Sequence, residues 1–182
     1  LMLDRVYGCS YLAGAFTNLF HDHIGPHEHA SMDEYLAAKV MLFGRCRNAV
    51  INRDIGQYEQ VRAAVQGPCL TYGLSEQADV RAVNLRKTTL NHRVGTVFEL
   101  ISPWFQGDVF VGMPGRFNVS NALAAIACAG LSGASLAAVR QGLAEIARCM
   151  LCLRDGQWPR RGADVEEVDV EKLKEMVQEG KA

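Results

Sequence analysis

Residues 16–43 read FTNLFHDHIGPHEHASMDEYLAAKVMLF, and this stretch decides how the chain folds and where its chemistry lies. It passes from an apolar strand end into a polar loop and then into a helix that sets Lys39 on its apolar side. Lysine is rarely buried without a partner. The loop carries several side chains that could bind a metal: Asp22, His23, His27 and His29. Such a loop followed by such a lysine fits a site for phosphate and magnesium better than ordinary core packing.

Local signals place this loop between a strand and a helix. Residues 13–19 (AGAFTNL) predict a buried strand that ends in the loop. Ser31 is a good N-cap, and Glu34 three residues later completes a capping box. The helix that follows is predicted over residues 32–43, with an apolar stripe along one face, and Gly44 ends it.

The rest of the chain alternates between strand and helix patterns, which predicts an α/β sheet with parallel strands. The region 80–111 switches to two-residue alternation and predicts adjoining, antiparallel strands. A Met-Pro-Gly turn and two helices follow it. The predicted elements are strand 48–52, helix 58–65, a strand over 68–72, helix 117–131, and a helix capped by Ser135 that ends near residue 148.

Composition is that of a globular protein and sets aside two classes of partner. The 182 residues are 49% hydrophobic and 21% charged, as in a folded domain with a core. The net charge of −1 gives no electrostatic attraction to nucleic acid or anionic lipid. We find no signal peptide and no run near the roughly 18 apolar residues of a membrane span. We therefore expect a soluble, cytoplasmic protein.

A zinc site is the alternative use of the cysteines and histidines. Of six cysteines, only Cys149 and Cys152 have C-x-x-C spacing, and a lone pair of this kind is weak evidence for zinc or redox chemistry. The loop histidines could add ligands: His21, His23, His27 and His29. Their spacing matches no recognised structural zinc motif, and solvated histidines or N–H donors that hold an irregular turn would give the same pattern.

Lys39 has two opposed interpretations. Snorkelling of the ammonium group to the surface is the ordinary outcome for a lysine on an apolar face. Its neighbours in the sequence, however, have apolar side chains that offer it no hydrogen-bond partner: Ala37, Ala38, Val40 and Leu42. Burial disfavours the charged form of an amine, and a neutral amine can react with carbon dioxide to give a carbamate, which offers two oxygens to a metal.

Residues 114–121 (PGRFNVSN) form a third candidate segment, in which a glycine turn opens a helix. The first N–H groups of a helix are available to an anion, and Asn118 offers both a donor and an acceptor to a purine edge. The structural alternative is that Asn118 or Ser120 caps the helix.

The order of these features resembles the Mur ligase family, the ATP-dependent enzymes that add amino acids to UDP-N-acetylmuramoyl peptides in peptidoglycan synthesis. The likeness is greatest to the tripeptide synthetases, which add a diamino acid to UDP-N-acetylmuramoyl-L-alanyl-D-glutamate. It covers about residues 1–147, within the central ATPase domain of the family. Five segments carry it: LDRV (3–6), FTNLFHDHI (16–24), MDEYLAAKVMLF (32–43), AVIN (49–52) and PGRFNVSNALAAIA (114–127).

The resemblance implies a fold, two cofactors and a set of site residues. The implied fold is α/β, part of a Mur ligase central domain: a P-loop-NTPase-like, mostly parallel sheet flanked by helices, with an added antiparallel portion. Asp22 and His23 are implied as ligands of Mg²⁺, and Lys39 as the lysine that the family carbamylates to hold a second Mg²⁺. His23 and Lys39 are thereby the catalytic candidates. The implied contacts to ATP are Asn118 at the base, with Arg116 and Asn121 beside it.

In the family, ATP phosphorylates the terminal carboxylate of the UDP-N-acetylmuramoyl dipeptide, and the amine of the diamino acid attacks the acyl phosphate. The P-loop, a G-x-x-G-K-[ST]-like segment, is expected upstream of residue 1. We therefore expect a truncated ligase, inactive alone, with a Mur-like part at 1–147 and a divergent tail at 148–182 that carries a charged helix. Its sheet would lack early strands and could self-associate through an exposed edge. The alternatives are a non-catalytic binding or regulatory module that retains the metal loop, and one half of a split ligase.

Overall fold

In the part of the chain that the structure describes, six strands form one sheet in which each strand lies beside its neighbour in sequence. The computed structural model describes residues 8–20 and 31–154, with side chains up to residue 145. The strands are β1 (Tyr11–Phe16), β2 (Cys46–Asn52), β3 (Cys69–Gly73), β4 (Val80–Leu90), β5 (Arg93–Ile101) and β6 (Gln106–Val111).

The sheet is parallel from β1 to β4 and antiparallel from β4 to β6. The connection between β4 and β5 explains the change of direction. Asn91 and His92 form a two-residue turn with φ of 48° and 61°, the left-handed conformation that a tight hairpin requires. The predicted mixed sheet, parallel first and antiparallel afterwards, is confirmed.

Within residues 8–20 and 31–154, four helices accompany the sheet: α1 (Met32–Val40), α2 (Tyr58–Ala63), α3 (Arg116–Leu131) and α4 (Leu136–Arg154). The predicted caps are present, since the Ser31 hydroxyl accepts a hydrogen bond from the Glu34 amide at 3.2 Å, and Ser135 accepts one from the Ala138 amide at the same distance. The prediction of one helix over 32–43 was wrong at its end. A 3₁₀ turn (Met41–Arg45) follows α1 and leads directly into β2.

Helices lie on both faces of the sheet. The alternating directions of the side chains along β2 show which helices cover each face. Val50 belongs to the larger core cluster, with α3 and α4. Ala49 and Ile51 belong to a second cluster, with α1 and α2. Because successive side chains of a strand point to opposite faces, the two clusters lie on opposite sides of the sheet. The result is a three-layer α/β/α arrangement.

Helix α4 continues past the predicted end near residue 148 to Arg154. The division of the chain at 147 and 148 stays a prediction, and the predicted charged helix of the tail lies outside the described residues. Within residues 8–20 and 31–154, no helix is long and apolar enough to cross a membrane.

Candidate functional site

A cavity of about 280 Å³ opens where β1 and β2 end and α3 begins. Carboxyl ends of parallel strands are the usual ligand-binding edge of an open α/β sheet. Three segments line the cavity: residues 17–20 after β1, Asn52 with residues 54–57 at the end of β2, and Phe117, Ser120 and Asn121 of α3.

The described lining of this cavity carries little charge. Asp54 is the one charged side chain among these described lining residues, and its carboxylate already accepts hydrogen bonds from the Leu74 amide at 2.6 Å and the Ser75 amide at 3.0 Å. The other polar lining groups are side-chain amides and hydroxyls, which offer both donors and acceptors. The cavity therefore suits a neutral polar group better than a phosphate.

Asn52 ties together the segments that surround the cavity. Its side chain is 7% exposed, and its amide nitrogen donates to the Thr17 carbonyl at 2.9 Å and to the Ser120 hydroxyl at 3.3 Å. Its side-chain oxygen accepts from the Asp54 amide at 3.0 Å. One buried amide thus links the end of β1, the loop after β2 and helix α3. The sequence marked Asn52 as the end of a strand and as part of the AVIN segment, and it gave no sign of these partners because they are distant in the chain.

Asp54 holds the loop after β3 against the loop after β2. A Cβ atom on Gly73 would lie 2.7 Å from a carboxylate oxygen of Asp54, so this close approach requires glycine. The next residue along the chain, Arg53, adds a second tie, since its guanidinium donates to the Gln77 side chain at 2.7 Å and lies 3.9 Å from the centre of the Tyr58 ring. The wall of the cavity is therefore fixed by both side chains.

Lys39 points from α1 towards the end of β1. Its ammonium nitrogen donates to the Asn18 carbonyl at 3.2 Å and lies 4.6 Å from the centre of the Tyr35 ring and 5.8 Å from that of Phe16. The side chain is half-buried, so a carbonyl and two aromatic faces replace part of its hydration. Lys39 does not line the cavity, but Asn18 does. The loop after β1 therefore both binds the Lys39 ammonium group and lines the cavity.

The predicted nucleotide contacts occupy different positions at the start of α3. Asn121 is exposed and lines the cavity. Asn118 turns back and donates to the Pro114 carbonyl at 2.8 Å, which ties down the turn before the helix, and it does not line the cavity. Arg116 is exposed in the first turn of α3. The roles of all three stay predictions.

Asp22, His23, His27 and His29 lie outside the described residues, as does His21, so the structure does not place the predicted metal loop relative to Lys39. Within the described part, no group of three or more His, Cys, Asp or Glu side chains could hold a metal ion.

The side chains of Cys149 and Cys152 also lie outside the described residues. Four cysteines of the described region are free thiols: Cys9, Cys46, Cys69 and Cys128. Burial raises the pKa of the last three, which disfavours the reactive thiolate.

Comparison with known proteins shows which family the chain is similar to. The Mur ligase middle domain matches residues 1–129 of the chain. A UDP-N-acetylmuramoyl-L-alanyl-D-glutamate–2,6-diaminopimelate ligase of Clostridium acetobutylicum is 37% identical over 146 residues, which are 80% of this chain and 29% of that protein. The chain thus spans less than a third of the length of this relative.

Solved structures agree with the sequence match. A ligase of the same name has a TM-score of 0.66 and 29% identity over 78% of this chain and 29% of its own. MurF from Acinetobacter baumannii, at 24% identity, has the same fold with a TM-score of 0.63 over 73% of this chain and 28% of its own. The mixed six-stranded sheet is the fold of their central domains. Since the family match covers well over half of the 182 residues, the chain belongs to the Mur ligase family.

Proposed function

We propose that this chain is part of an ATP-dependent ligase that adds a diamino acid to UDP-N-acetylmuramoyl-L-alanyl-D-glutamate, and that it supplies the wall beside the nucleotide. The observation that carries the proposal is the loop after β1, which lines the cavity and also holds Lys39 through the Asn18 carbonyl. A relative that is 37% identical over 146 aligned residues is named as a ligase of UDP-N-acetylmuramoyl-L-alanyl-D-glutamate and 2,6-diaminopimelate. A cytoplasmic location stays a prediction.

The size and charge of the cavity support a role in holding the base of ATP. Pockets for drug-sized ligands measure about 300–1,000 Å³, and this one, at about 280 Å³, suits a single ring system rather than a whole nucleoside triphosphate. Its amides and hydroxyls can pair with the polar edge of a base. The phosphates would then lie outside the cavity.

Magnesium is part of the proposal only through residues outside the described region. The described side chains do not by themselves fit a metal ion, and the Lys39 ammonium, bonded to a carbonyl, is a donor and not a metal ligand. Asp22 and His23 stay the proposed Mg²⁺ ligands, and a carbamate on Lys39 stays the proposed ligand of a second Mg²⁺. We derive no step of the reaction through the metal.

The described residues can bind the nucleotide and hold it in position. Asn52 fixes the two sides of the cavity, Asp54 fixes its wall, and Asn121 presents an amide to the ligand. Such positioning is the greater part of what a protein contributes to phosphoryl transfer, together with electrostatic stabilisation. A P-loop, which would cradle the β- and γ-phosphates, would have to come from a segment outside these 182 residues. We therefore expect no ATP hydrolysis or amide formation from the purified chain alone.

A chimera tests the proposal. The matching segment of the Clostridium acetobutylicum ligase is replaced by that of this chain, and amide formation is measured with UDP-N-acetylmuramoyl-L-alanyl-D-glutamate, diaminopimelate and ATP. We expect the chimera to be active and Lys39→Met to lower kcat by about a hundredfold or more, as for other electrostatic groups of active sites.

Lys87→Met is the matched control, because Lys87 is an exposed lysine of β4, and it should leave the rate unchanged. Full activity of the Lys39→Met chimera would contradict the role of Lys39. A folded chimera that binds nucleotide but forms no amide would favour the alternative, a binding or regulatory module.

A further inference from the structure

We infer that Phe20 and Phe117 form an aromatic pair that stacks on the planar ring of the base in the cavity. The inference rests on the proposed function and specifies how the base would be recognised. Phe20 follows β1 and is 63% exposed, and Phe117 is the second residue of α3 and is 59% exposed. Both line the cavity.

Exposure of these two rings needs an explanation, because phenylalanine is ordinarily among the more buried residues. The described region exposes six large hydrophobic side chains: Leu12, Phe20, Met41, Val94, Trp104 and Phe117. Phe20 and Phe117 are the most exposed of the six and the two that line the cavity. Two exposed rings on one small cavity that also carries amide and hydroxyl side chains are typical of a site for a flat ligand with polar edges.

The fold fixes the segments that carry the two rings. Asn52 donates to the Thr17 carbonyl, three residues before Phe20, and to the Ser120 hydroxyl, three residues after Phe117. This buried amide therefore sets the distance between the end of β1 and the first turns of α3. A stacking site needs such rigidity, because a ligand gains less when binding must also order the groups around it.

The lining selects the chemical class of the ligand. Among the described lining residues, Asp54 is the one charged side chain and is engaged by two backbone amides, and none is a lysine or arginine. These residues offer a phosphate no cation, whereas they offer a heterocycle two rings and the amides of Gln57 and Asn121. The base, and not the phosphate chain, is the part of the nucleotide that this cavity takes.

The test is a titration of the full 182-residue chain with 2-aminopurine riboside, whose fluorescence falls when its ring stacks. Loss of one stacking ring weakens the binding of a base by about five- to a hundredfold. We expect Phe20→Ala and Phe117→Ala each to weaken binding within that range and Phe20→Tyr to preserve it. Met41→Ala is the control, since Met41 is 53% exposed and does not line the cavity.

The outcomes separate this inference from the proposed function. Binding by the wild type that neither alanine variant weakens would overturn the aromatic pair and leave the base assignment intact. No binding of the riboside by the wild-type chain would overturn both. Circular dichroism of each variant checks the fold, and because both rings are exposed we expect unchanged spectra.

Discussion

Tyr72 buries a phenol hydroxyl that has no hydrogen-bond partner in the described part of the molecule. The residue is fully buried, at 0% exposure, and although Ser120 lies nearby, it does not meet hydrogen-bond geometry with this hydroxyl. An unsatisfied buried polar group costs about 1–3 kcal/mol. We therefore expect Tyr72→Phe to raise the free energy of unfolding by about 1 kcal/mol, measured by urea denaturation at neutral pH.

The same substitution has a pH signature. Burial raises the pKa of Tyr72 above its ordinary value of 10.0. As the pH rises past that value, the unfolded chain releases the phenol proton while the folded chain keeps it, so the folded state loses stability. Tyr72→Phe should lose less stability than the wild type between about pH 9 and pH 11. The half-buried thiols are present in both proteins, so their titration contributes to both pH profiles. An equal loss in both, or a destabilised variant at neutral pH, would contradict the buried, unpaired hydroxyl.

At the scale of single residues, the sequence located Lys39 better than it located the cavity. The apolar helical stripe predicted a lysine on the packed side of α1, and the structure shows Lys39 half-buried against Tyr35 and Phe16. Asn52, Phe20 and Phe117 could not be grouped from the sequence, because only the fold brings β1, β2 and α3 together. A strand that ends in asparagine gives no sign of which carbonyl that asparagine will bind.

At the scale of elements, strands and helices were predicted where local periodicity and tertiary packing agree. The pattern of β4, β5 and β6 alternates as antiparallel strands do, and the hairpin turn of Asn91 and His92 has the conformation that such strands need. The C-terminal ends of the helices were harder to predict. Helix α1 ends at Val40 because a 3₁₀ turn redirects the chain into β2, and α4 continues to Arg154 through a run of cysteine, methionine and leucine that looked like a change of character.

A close contact between Asp54, in the loop after β2, and the end of β3 favours glycine at residue 73. A Cβ at residue 73 would lie only 2.7 Å from the nearest carboxylate oxygen of Asp54, and the carboxylate cannot retreat without losing the amides of Leu74 and Ser75. We expect Gly73→Ala to lower the free energy of unfolding by about 1–3 kcal/mol, the usual cost of overpacking.

Gly44→Ala is the control, because a Cβ at Gly44 would meet nothing within 4 Å, and it should change stability by less than about 0.5 kcal/mol. Combined with Asp54→Ala, the Gly73→Ala change should cost less than the sum of the two single changes, since both act on one contact. Additive costs would mean that the alanine at residue 73 acts elsewhere.

At the scale of the whole molecule, the two edges of the sheet differ. The edge at β6 is met by α4, where Arg140 donates to the Asp108 carbonyl at 2.9 Å and the Gly112 amide donates to the Leu143 carbonyl at 3.2 Å. Among the described residues, β1 pairs with β2 alone, and Leu12 on it is 44% exposed. An open strand edge with an apolar side chain is a template for pairing with another chain.

We therefore propose that the purified chain self-associates through β1, and light scattering with size-exclusion chromatography measures this as a mass that rises with concentration. A charge on an edge strand opposes such pairing, so Leu12→Lys should shift the chain towards monomer. Val94→Lys is the control, because Val94 has nearly the same exposure, 45%, but lies on β5, an interior strand of the sheet, opposite Thr89 of β4. A wild type that stays monomeric at all concentrations would contradict the pairing, and an equal effect of both lysines would mean that general surface hydrophobicity, and not the β1 edge, drives association.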